Sequence, residues 1–337
     1  MSILFVLFPY TNLSTNNNTL IPSRSHTYEN NQDIIDEMLQ SKLDQYDDLE
    51  RYIQFYGPSL RATYYGLFIL EAIDRMEIIN SSEMTEFVMN HYDNTSKVFG
   101  DKYSQRFLDT DFDQTYYPLH TLLETNIYAL LSLEILNELG RINTSEFRGF
   151  IWSCYNPEER GFIGLPYSPE LEEQFLVPTA DNTYFALQGL TLLNQDWTNL
   201  TGIRLDTIDF LKSLQISDIS NPNLGGLLND HDETLDTIDL FEVNMHSTYY
   251  GYKALEIFAY QNLLDIEDLH LFMEHLYQPE EDYFEVSIFR YYSEHLNLPT
   301  TAMTLELANL SDFQAYRFQE TLNFILNNRN QQGIWDS

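Results

Sequence analysis

The sequence predicts an all-α fold of about five tandem helix pairs, and three observations support this. A five-residue motif recurs about every sixty residues, as Thr63–Leu67, Asn126–Leu130, Thr183–Leu187 and Thr248–Tyr252. Each copy opens a stretch with apolar residues at helical spacing, and a polar turn and a second helical stretch follow it. A loop that ends in Gly and a large apolar residue closes each unit. A fixed period of this kind is typical of repeat proteins, whose helix pairs bury their apolar faces against their neighbours.

The first helix of each pair carries the motif and is predicted over residues 60–78, 122–140, 180–195 and 246–261. A fifth first helix falls within 284–310, where Pro299 interrupts the pattern. Because proline breaks a helix interior, this stretch is predicted to form two short helices, Ser287–Leu296 and Thr301–Leu310.

The second helices are predicted to begin at capping residues followed by carboxylates, namely Ser82, Thr144 and Asp265. The closing loops are clearest at Gly161-Phe162, Gly226-Leu227 and Gly333-Ile334, and less clear at Val98-Phe99-Gly100.

The charge of the chain limits its partners. Its 337 residues include 52 acidic and 17 basic side chains, for a net charge of −35. Such a chain repels a phosphate backbone, so neither nucleic acid nor an anionic membrane is expected as a partner. A hydrophobic content of 43% is ample for a large core.

Cysteine usage and hydropathy indicate a cytoplasmic protein. Cys154 is the single cysteine, so no intrachain disulfide can form, and a reducing compartment is expected. Its apolar surroundings predict an inert, packed thiol. No stretch is long enough to span a bilayer. Residues 11–32 are rich in Asn, Ser and Thr, so a flexible N-terminal segment is predicted over residues 1–32, followed by one domain over 33–337.

The motif and loops resemble the repeat of prenyltransferase β-subunits and squalene cyclases over residues 55–335. This resemblance implies an all-α, α/α-toroid fold of about five helical hairpins. Inner helices would ring an apolar cavity, and outer helices would wrap them. The aromatic side chains that the repeat places inward are Tyr64, Tyr65, Tyr128, Tyr184, Phe185, Tyr249 and Tyr250.

The resemblance also implies a metal site. We call the position two residues before the motif's first residue the mouth position; it holds Arg61, Glu124, Asp181 and His246. In protein prenyltransferases two successive repeats supply zinc ligands, with Asp and His at the mouth position and Cys at the motif's first residue. Asp181 and His246 match the Asp and the His, whereas Thr183 stands where the family has Cys. A zinc ion on Asp181 and His246 would need a further carboxylate, for which Glu124, Asp239 and Glu242 are candidates.

The family holds a substrate diphosphate with an Arg and a Lys before the zinc-binding Asp. Phe175 and Pro178 occupy those positions here. Tyr184 matches a family tyrosine that hydrogen-bonds the diphosphate. Asp181, His246 and Tyr184 are therefore the predicted catalytic residues. Arg61 is expected either to pair with Glu71 or Glu124 across the ring or to bind an anion.

The resulting hypothesis is a prenyltransferase β-subunit-like toroid that binds an isoprenoid or another apolar ligand and acts as a metal-assisted transferase. It implies a partner chain of helical hairpins, like the family's α-subunit. One alternative is a non-catalytic toroid that serves as a binding or scaffold protein. A further alternative is a carbohydrate-active toroid using paired carboxylates such as Asp111 and Asp113. Asp109, Asp111 and Asp113 also resemble loosely the acid motif of terpene cyclases.

Overall fold

A computed structural model describes residues 53–54, 57–72, 74–104, 120–231, 243–288, 297–313 and 318–327. Several predictions concern residues outside these ranges. They are the N-terminal segment 1–32, the carboxylates Asp109, Asp111, Asp113, Asp239 and Glu242, most of the predicted short helix Ser287–Leu296, and the last closing loop at Gly333-Ile334.

The described residues form ten α-helices in five pairs, which confirms the predicted all-α repeat. The helices are α1 (Leu60–Ala72), α2 (Ser81–Met89), α3 (Leu122–Ile135), α4 (Thr144–Ser153), α5 (Ala180–Leu192), α6 (Thr201–Ser213), α7 (Met245–Ile257), α8 (Ile266–Leu276), α9 (Asn297–Leu310) and α10 (Phe318–Asn327).

The odd-numbered helices are the inner helices. Each inner helix packs against the next inner helix along the chain: α1 on α3, α3 on α5, α5 on α7, and α7 on α9. The outer helices α2, α4 and α6 each pack on the inner helix of the following pair. One large hydrophobic core therefore runs from Leu60 to Leu307 through successive pairs.

Short antiparallel hairpins join the pairs. The strands are β1 (Ile53–Gln54), β2 (Gly57–Pro58), β3 (Tyr92–Asp93), β4 (Val98–Phe99), β5 (Tyr155–Asn156), β6 (Gly161–Phe162), β7 (Tyr277–Gln278) and β8 (Tyr283–Phe284). β3–β4, β5–β6 and β7–β8 follow the outer helices α2, α4 and α8. Their registers pair an aromatic residue with Phe99, Phe162 and Phe284. After α6 a single bridge between Gln215 and Leu227 takes the hairpin's place.

The first residue of the motif ties each hairpin to the next inner helix. The Phe99 N–H donates to Asn126 Oδ1 at 2.7 Å, and the Phe162 N–H donates to Thr183 Oγ1 at 3.2 Å. Leu227 donates to Thr248 at 3.0 Å in the same way. The fourth such bond, from Phe284 to Thr301 at 3.0 Å, identifies Thr301 as the start of a fifth motif. We call Asn126, Thr183, Thr248 and Thr301 the anchor residues.

The inner helices end earlier than predicted. A residue with left-handed backbone follows each of them: Asp74, Asn137, Asn194, Ala259 and Asp312, with φ between 55° and 58°. Such a residue terminates an α-helix, so the inner helices stop short of residues 78, 140, 195 and 261.

Three predicted boundaries need correction. The N-caps of α2 and α4 are Asn80 and Asn143, not Ser82 and Thr144, whereas Asp265 does cap α8. The predicted break at Pro299 is wrong, because α9 begins at Asn297 and runs through the proline. Pro299 lies in the first turn, where no backbone N–H is needed for the helical hydrogen bonds.

Candidate functional site

The mouth residues lie together at the N-terminal ends of the inner helices. Arg61, Glu124, Asp181 and His246 fall in the first turns of α1, α3, α5 and α7. Their charges act on shared neighbours. Burial and Tyr65 raise the pKa of Tyr250 well above its ordinary value, Arg61 opposes that rise, and Glu124 and Asp181 add to it. The repeat thus assembles one cluster of polar groups from four separate helices.

Arg61 is held by aromatic faces and a histidine. Its guanidinium lies 5.8 Å from the ring centroid of Tyr65 and 6.0 Å from that of Tyr128. Its Nη1 lies 3.2 Å from both ring nitrogens of His120, so it donates to whichever nitrogen is unprotonated. The predicted salt bridge to Glu71 or Glu124 is wrong, because Arg61 has no carboxylate within ion-pair distance in the described parts of the chain.

Glu124 and Asp181 act as helix-capping groups. Glu124 Oε2 accepts from the Thr121 N–H at 2.7 Å and completes a capping box at the start of α3. Asp181 Oδ1 accepts from the hydroxyl of Thr179, the N-cap of α5, and from the Asn182 N–H at 2.8 Å. Both side chains are nearly buried, at 5% and 8% exposure. Negative charge is stabilised there by the helix N-termini.

His246 is a neutral imidazole at physiological pH. Burial, and secondarily the charge of Arg61, lower its pKa to about 4. Its Nε2 lies 3.1 Å from Thr300 Oγ1, on the first turn of α9. Neutral imidazole is the form that binds metal.

The described residues do not supply a complete zinc site. Asp181 and His246 provide two donors, and nowhere in the described ranges do three His, Cys, Asp or Glu side chains group closely enough to hold a metal ion. The Thr183 hydroxyl accepts from Phe162 and is fully buried, so this position serves as an anchor. Zinc on Asp181 and His246 stays a prediction, and two of its candidate third ligands, Asp239 and Glu242, lie outside the described residues.

Cys154 is buried, and its thiol pKa is raised to about 12 by burial. The predicted inert thiol agrees with this environment. Phe175 and Pro178, which replace the family's two cations, lie in the segment just before α5.

Aromatic rings form a belt along the inner helices, one turn deeper than the mouth. Tyr64 of α1 lies 5.6 Å from Tyr128 of α3, centroid to centroid. Tyr128 lies 5.2 Å from Phe185 of α5, and Tyr184 lies 5.3 Å from Tyr250 of α7. Tyr184 is in this belt: its hydroxyl accepts from Gln188 Nε2 at 2.6 Å. The structure therefore places Tyr184 below Asp181 and His246, with its hydroxyl bonded to a neighbour on its own helix.

A second polar layer lies beyond the belt, seven residues after the mouth positions. We call this the floor position; it holds Gln188, Lys253 and Glu306 on α5, α7 and α9. Lys253 Nζ lies 2.8 Å from Glu256 and 3.5 Å from Glu306, and the Tyr249 hydroxyl donates to Glu306 at 2.6 Å. Seven residues of helix span about 10 Å, which separates the mouth layer from the floor layer.

Sequence reasoning missed His120, Thr300 and Glu306. Glu306 had a usable signal, because it follows Thr301 by the spacing that separates Lys253 from Thr248. Thr300 also becomes visible once Thr301 is aligned with the other anchors. His120 lies before the helix and outside the repeated motif, so spacing alone does not find it.

Comparisons with known proteins agree with this architecture. A family model described as the prenyltransferase alpha-alpha toroid domain matches residues 100–239. Among solved structures, a Candida albicans protein geranylgeranyltransferase-I complexed with GGPP resembles the chain with a TM-score of 0.60 and 15% sequence identity. That match covers 88% of this chain and 86% of the other. No curated protein matches the chain in sequence. At such low identity the structural likeness concerns the fold alone.

Across the described residues, no helix is both long and apolar enough to cross a membrane.

Proposed function

This chain is a prenyltransferase-like α/α toroid, and on that premise we propose that its interior binds an isoprenoid or another apolar ligand. The fold supports the proposal because the Candida albicans enzyme was solved with GGPP. The aromatic belt supports it because rings on four inner helices offer a large apolar surface to a hydrocarbon chain.

One observation carries the proposal: interior side chains are deep in the protein and yet retain accessible surface. Burial shifts the pKa of His246 and raises that of Tyr64 and Tyr250, so protein surrounds these groups. All three nevertheless remain partly exposed. A deep side chain can keep accessible surface only if it faces a cavity or cleft. Ligand sites are typically concave, apolar spaces with a few polar groups, as here.

The described residues favour binding over transfer chemistry. Phe175 and Pro178 supply no cation for a diphosphate, and Thr183 supplies no thiolate. A transferase that uses Asp181, His246 and Tyr184 with zinc remains part of the proposal. Its test is the zinc content of metal-reconstituted protein, with His246→Ala as the control. About one zinc per chain, lost in the variant, would support it. Protein that holds no zinc would argue for the non-catalytic binding toroid.

The binding proposal is tested by calorimetry with farnesol, an uncharged isoprenoid, on the full chain. Tyr250→Ser removes a ring from the belt, and we expect Kd to rise about tenfold because apolar contact area is lost. Leu271→Ser removes an apolar side chain that is 43% exposed on the outer helix α8, and it should leave Kd unchanged. Wild-type protein that shows no saturable farnesol binding would overturn the proposal.

A partner and a location complete the proposed function. We place the chain in the cytoplasm, which its single buried cysteine suits. A helical-hairpin partner like the family's α-subunit would meet the outer surface, where Leu205 and Leu271 are both more than 40% exposed. The predicted carbohydrate activity rests on Asp111 and Asp113, which the structure does not describe.

A further inference from the structure

Arg61 has hydrogen-bonding capacity that the described part of the chain leaves unused. Only Nη1 of its three guanidinium nitrogens has a hydrogen-bond partner among the described residues. Nε is buried without any partner. A buried donor that lacks an acceptor costs roughly 1–3 kcal/mol, and more when the group is charged. Nη2 also has no partner among the described residues and, unlike Nε, is not buried, so a ligand can reach the guanidinium at Nη2.

The carboxylates at the other mouth positions are bonded at their own helices. Glu124 accepts from the Thr121 N–H and Asp181 from Thr179 and Asn182, each at the start of its own helix. His120 contacts Arg61 through ring nitrogens that lie 3.2 Å from Nη1 and carries no negative charge. Among the described residues, the guanidinium therefore lies in a polar cluster without a directly paired anion.

Arg61 is also the single permanent cation at this end of the described inner helices. The other one on these helices, Lys253, lies in the floor layer and is paired with Glu256 and Glu306. One guanidinium matches the charge of one carboxylate and binds it through two parallel hydrogen bonds. A diphosphate carries more negative charge than a single cation can balance, and Glu124 and Asp181 add repulsion.

We propose that Arg61 binds the carboxylate of an apolar monocarboxylic acid, either isoprenoid or long-chain, whose tail lies along the aromatic belt. The inference rests on the proposed binding function and names its ligand class. The carboxylate head group would then lie at the first repeat, surrounded by Arg61, His120 and Tyr65. The tail runs from the mouth layer towards the floor layer.

Three ligands with the same tail test this inference: farnesoic acid, farnesol and farnesyl diphosphate, each measured by calorimetry on the full chain. Wild-type protein should bind the acid at least about tenfold tighter than the alcohol, as expected for a charge-assisted pair. The diphosphate should bind no tighter than the acid. This ranking needs no variant, so it decides the matter even if a substitution at Arg61 impairs folding.

Variants then locate the contact. Arg61→Gln should weaken the binding of farnesoic acid about tenfold. It should leave the Kd of farnesol within about twofold of the wild-type value. Lys212→Gln, which removes an exposed cation on α6, should change neither value. Arg61→Lys should give an intermediate loss, because it keeps the charge but not the two-pronged geometry.

The outcomes separate the two proposals. Equal affinity for acid and alcohol, or equal weakening of both by Arg61→Gln, would overturn the carboxylate assignment and leave the apolar binding site intact. A diphosphate that binds more than about tenfold tighter than the acid would also overturn it. Absence of farnesol binding would instead refute the proposed function itself.

Discussion

Thr248 shows how one hydroxyl fixes the position of an inner helix. It is fully buried, accepts from the Leu227 N–H at 3.0 Å and donates to the Asn244 carbonyl at 2.8 Å. Its neighbour Ser247 donates to the Leu227 carbonyl at 2.7 Å. Both backbone groups of Leu227 thus bond to side chains of α7, which sets the height of the helix against the preceding loop.

Thr248→Val should lower the free energy of unfolding by about 1–3 kcal/mol, because it leaves the buried Leu227 N–H without an acceptor at nearly unchanged side-chain volume. Urea denaturation followed by circular dichroism measures this loss. Thr201→Val, at an exposed first position of α6, is the matched control and should change stability by less than about 0.5 kcal/mol. Equal losses in the two variants would show that the anchor bond contributes nothing.

The candidate site was predictable at the level of residue positions but not of their bonds. Repeat spacing together with the resemblance identified Arg61, Glu124, Asp181 and His246 as neighbours. The capping box at Glu124 was not predicted, because it depends on Thr121 just before the helix. Asp is a common N-cap residue, so Asp181 was expected to cap its helix. The structure instead places Thr179 at the N-cap of α5, with Asp181 accepting from its hydroxyl. In the part of the chain that the structure describes, both carboxylates bond at the starts of their own helices and neither forms an ion pair with Arg61.

The loops between helix pairs share a backbone geometry that their sequences conceal. Each of the four has one residue with positive φ just before its closing pair: Lys97, Arg160, Gly225 and Asp282. Three of them hold φ between 61° and 67°, whereas Gly225 has φ of 90°. Gly225 also faces α8, since a Cβ there would lie 1.9 Å from the Asp268 carbonyl oxygen. This loop alone requires glycine for its contact as well as its turn.

Gly225→Ala should destabilise the fold by at least about 2 kcal/mol, because it combines backbone strain with a clash against the backbone of α8. Gly149→Ala is the control: it lies on the exposed face of α4 with nothing within 4 Å of the added Cβ. There alanine should stabilise by about 0.5–1 kcal/mol through its higher helix propensity. Thermal unfolding of both variants measures the difference, and a neutral Gly225→Ala would contradict the assigned contact.

Helix existence was predictable from periodicity, whereas helix ends were not. Apolar spacing continues past residue 72 in α1 and past residue 257 in α7, so it gives no sign of a stop. The stop comes from left-handed residues such as Asp74 and Ala259, and alanine is not a residue that signals this conformation. Pro299 led to the opposite error, because a helix break was predicted where the helix continues. Proline is tolerated in the first turn, but the sequence does not mark Asn297 as the start of α9.

At the scale of the whole molecule, the interior concentrates tyrosines whose ionisation opposes folding. Burial is the main cause that raises the pKa of Tyr64, Tyr128, Tyr184, Tyr249 and Tyr250 above the ordinary value of 10.0. A group with a raised pKa in the folded state keeps its full stabilising effect below its unfolded pKa. That effect is lost as the pH rises above 10, because the unfolded chain releases its protons first.

The free energy of unfolding should therefore fall steeply above pH 10. Urea titrations at pH 9 and pH 11 measure it, and absorbance at 295 nm reports tyrosine ionisation in parallel. Tyr250→Phe removes one ionising group, so its stability should fall less over this range than that of the wild type. Equal pH dependence in the two proteins would show that Tyr250 ionises as freely as in the unfolded chain.

The anchor residue and the mouth residue are two positions apart on the same inner helix, which turns them about 200° from each other. Thr248 faces the preceding loop while His246 faces the ring interior, and the same holds for Thr183 and Asp181. The side chain that fixes the helix in the repeat and the side chain of the proposed binding site therefore lie on opposite faces of one helix. Substitutions on the interior face that spare the capping carboxylates Glu124 and Asp181 should consequently change what the interior binds, while the anchor hydrogen bonds keep neighbouring helices in place.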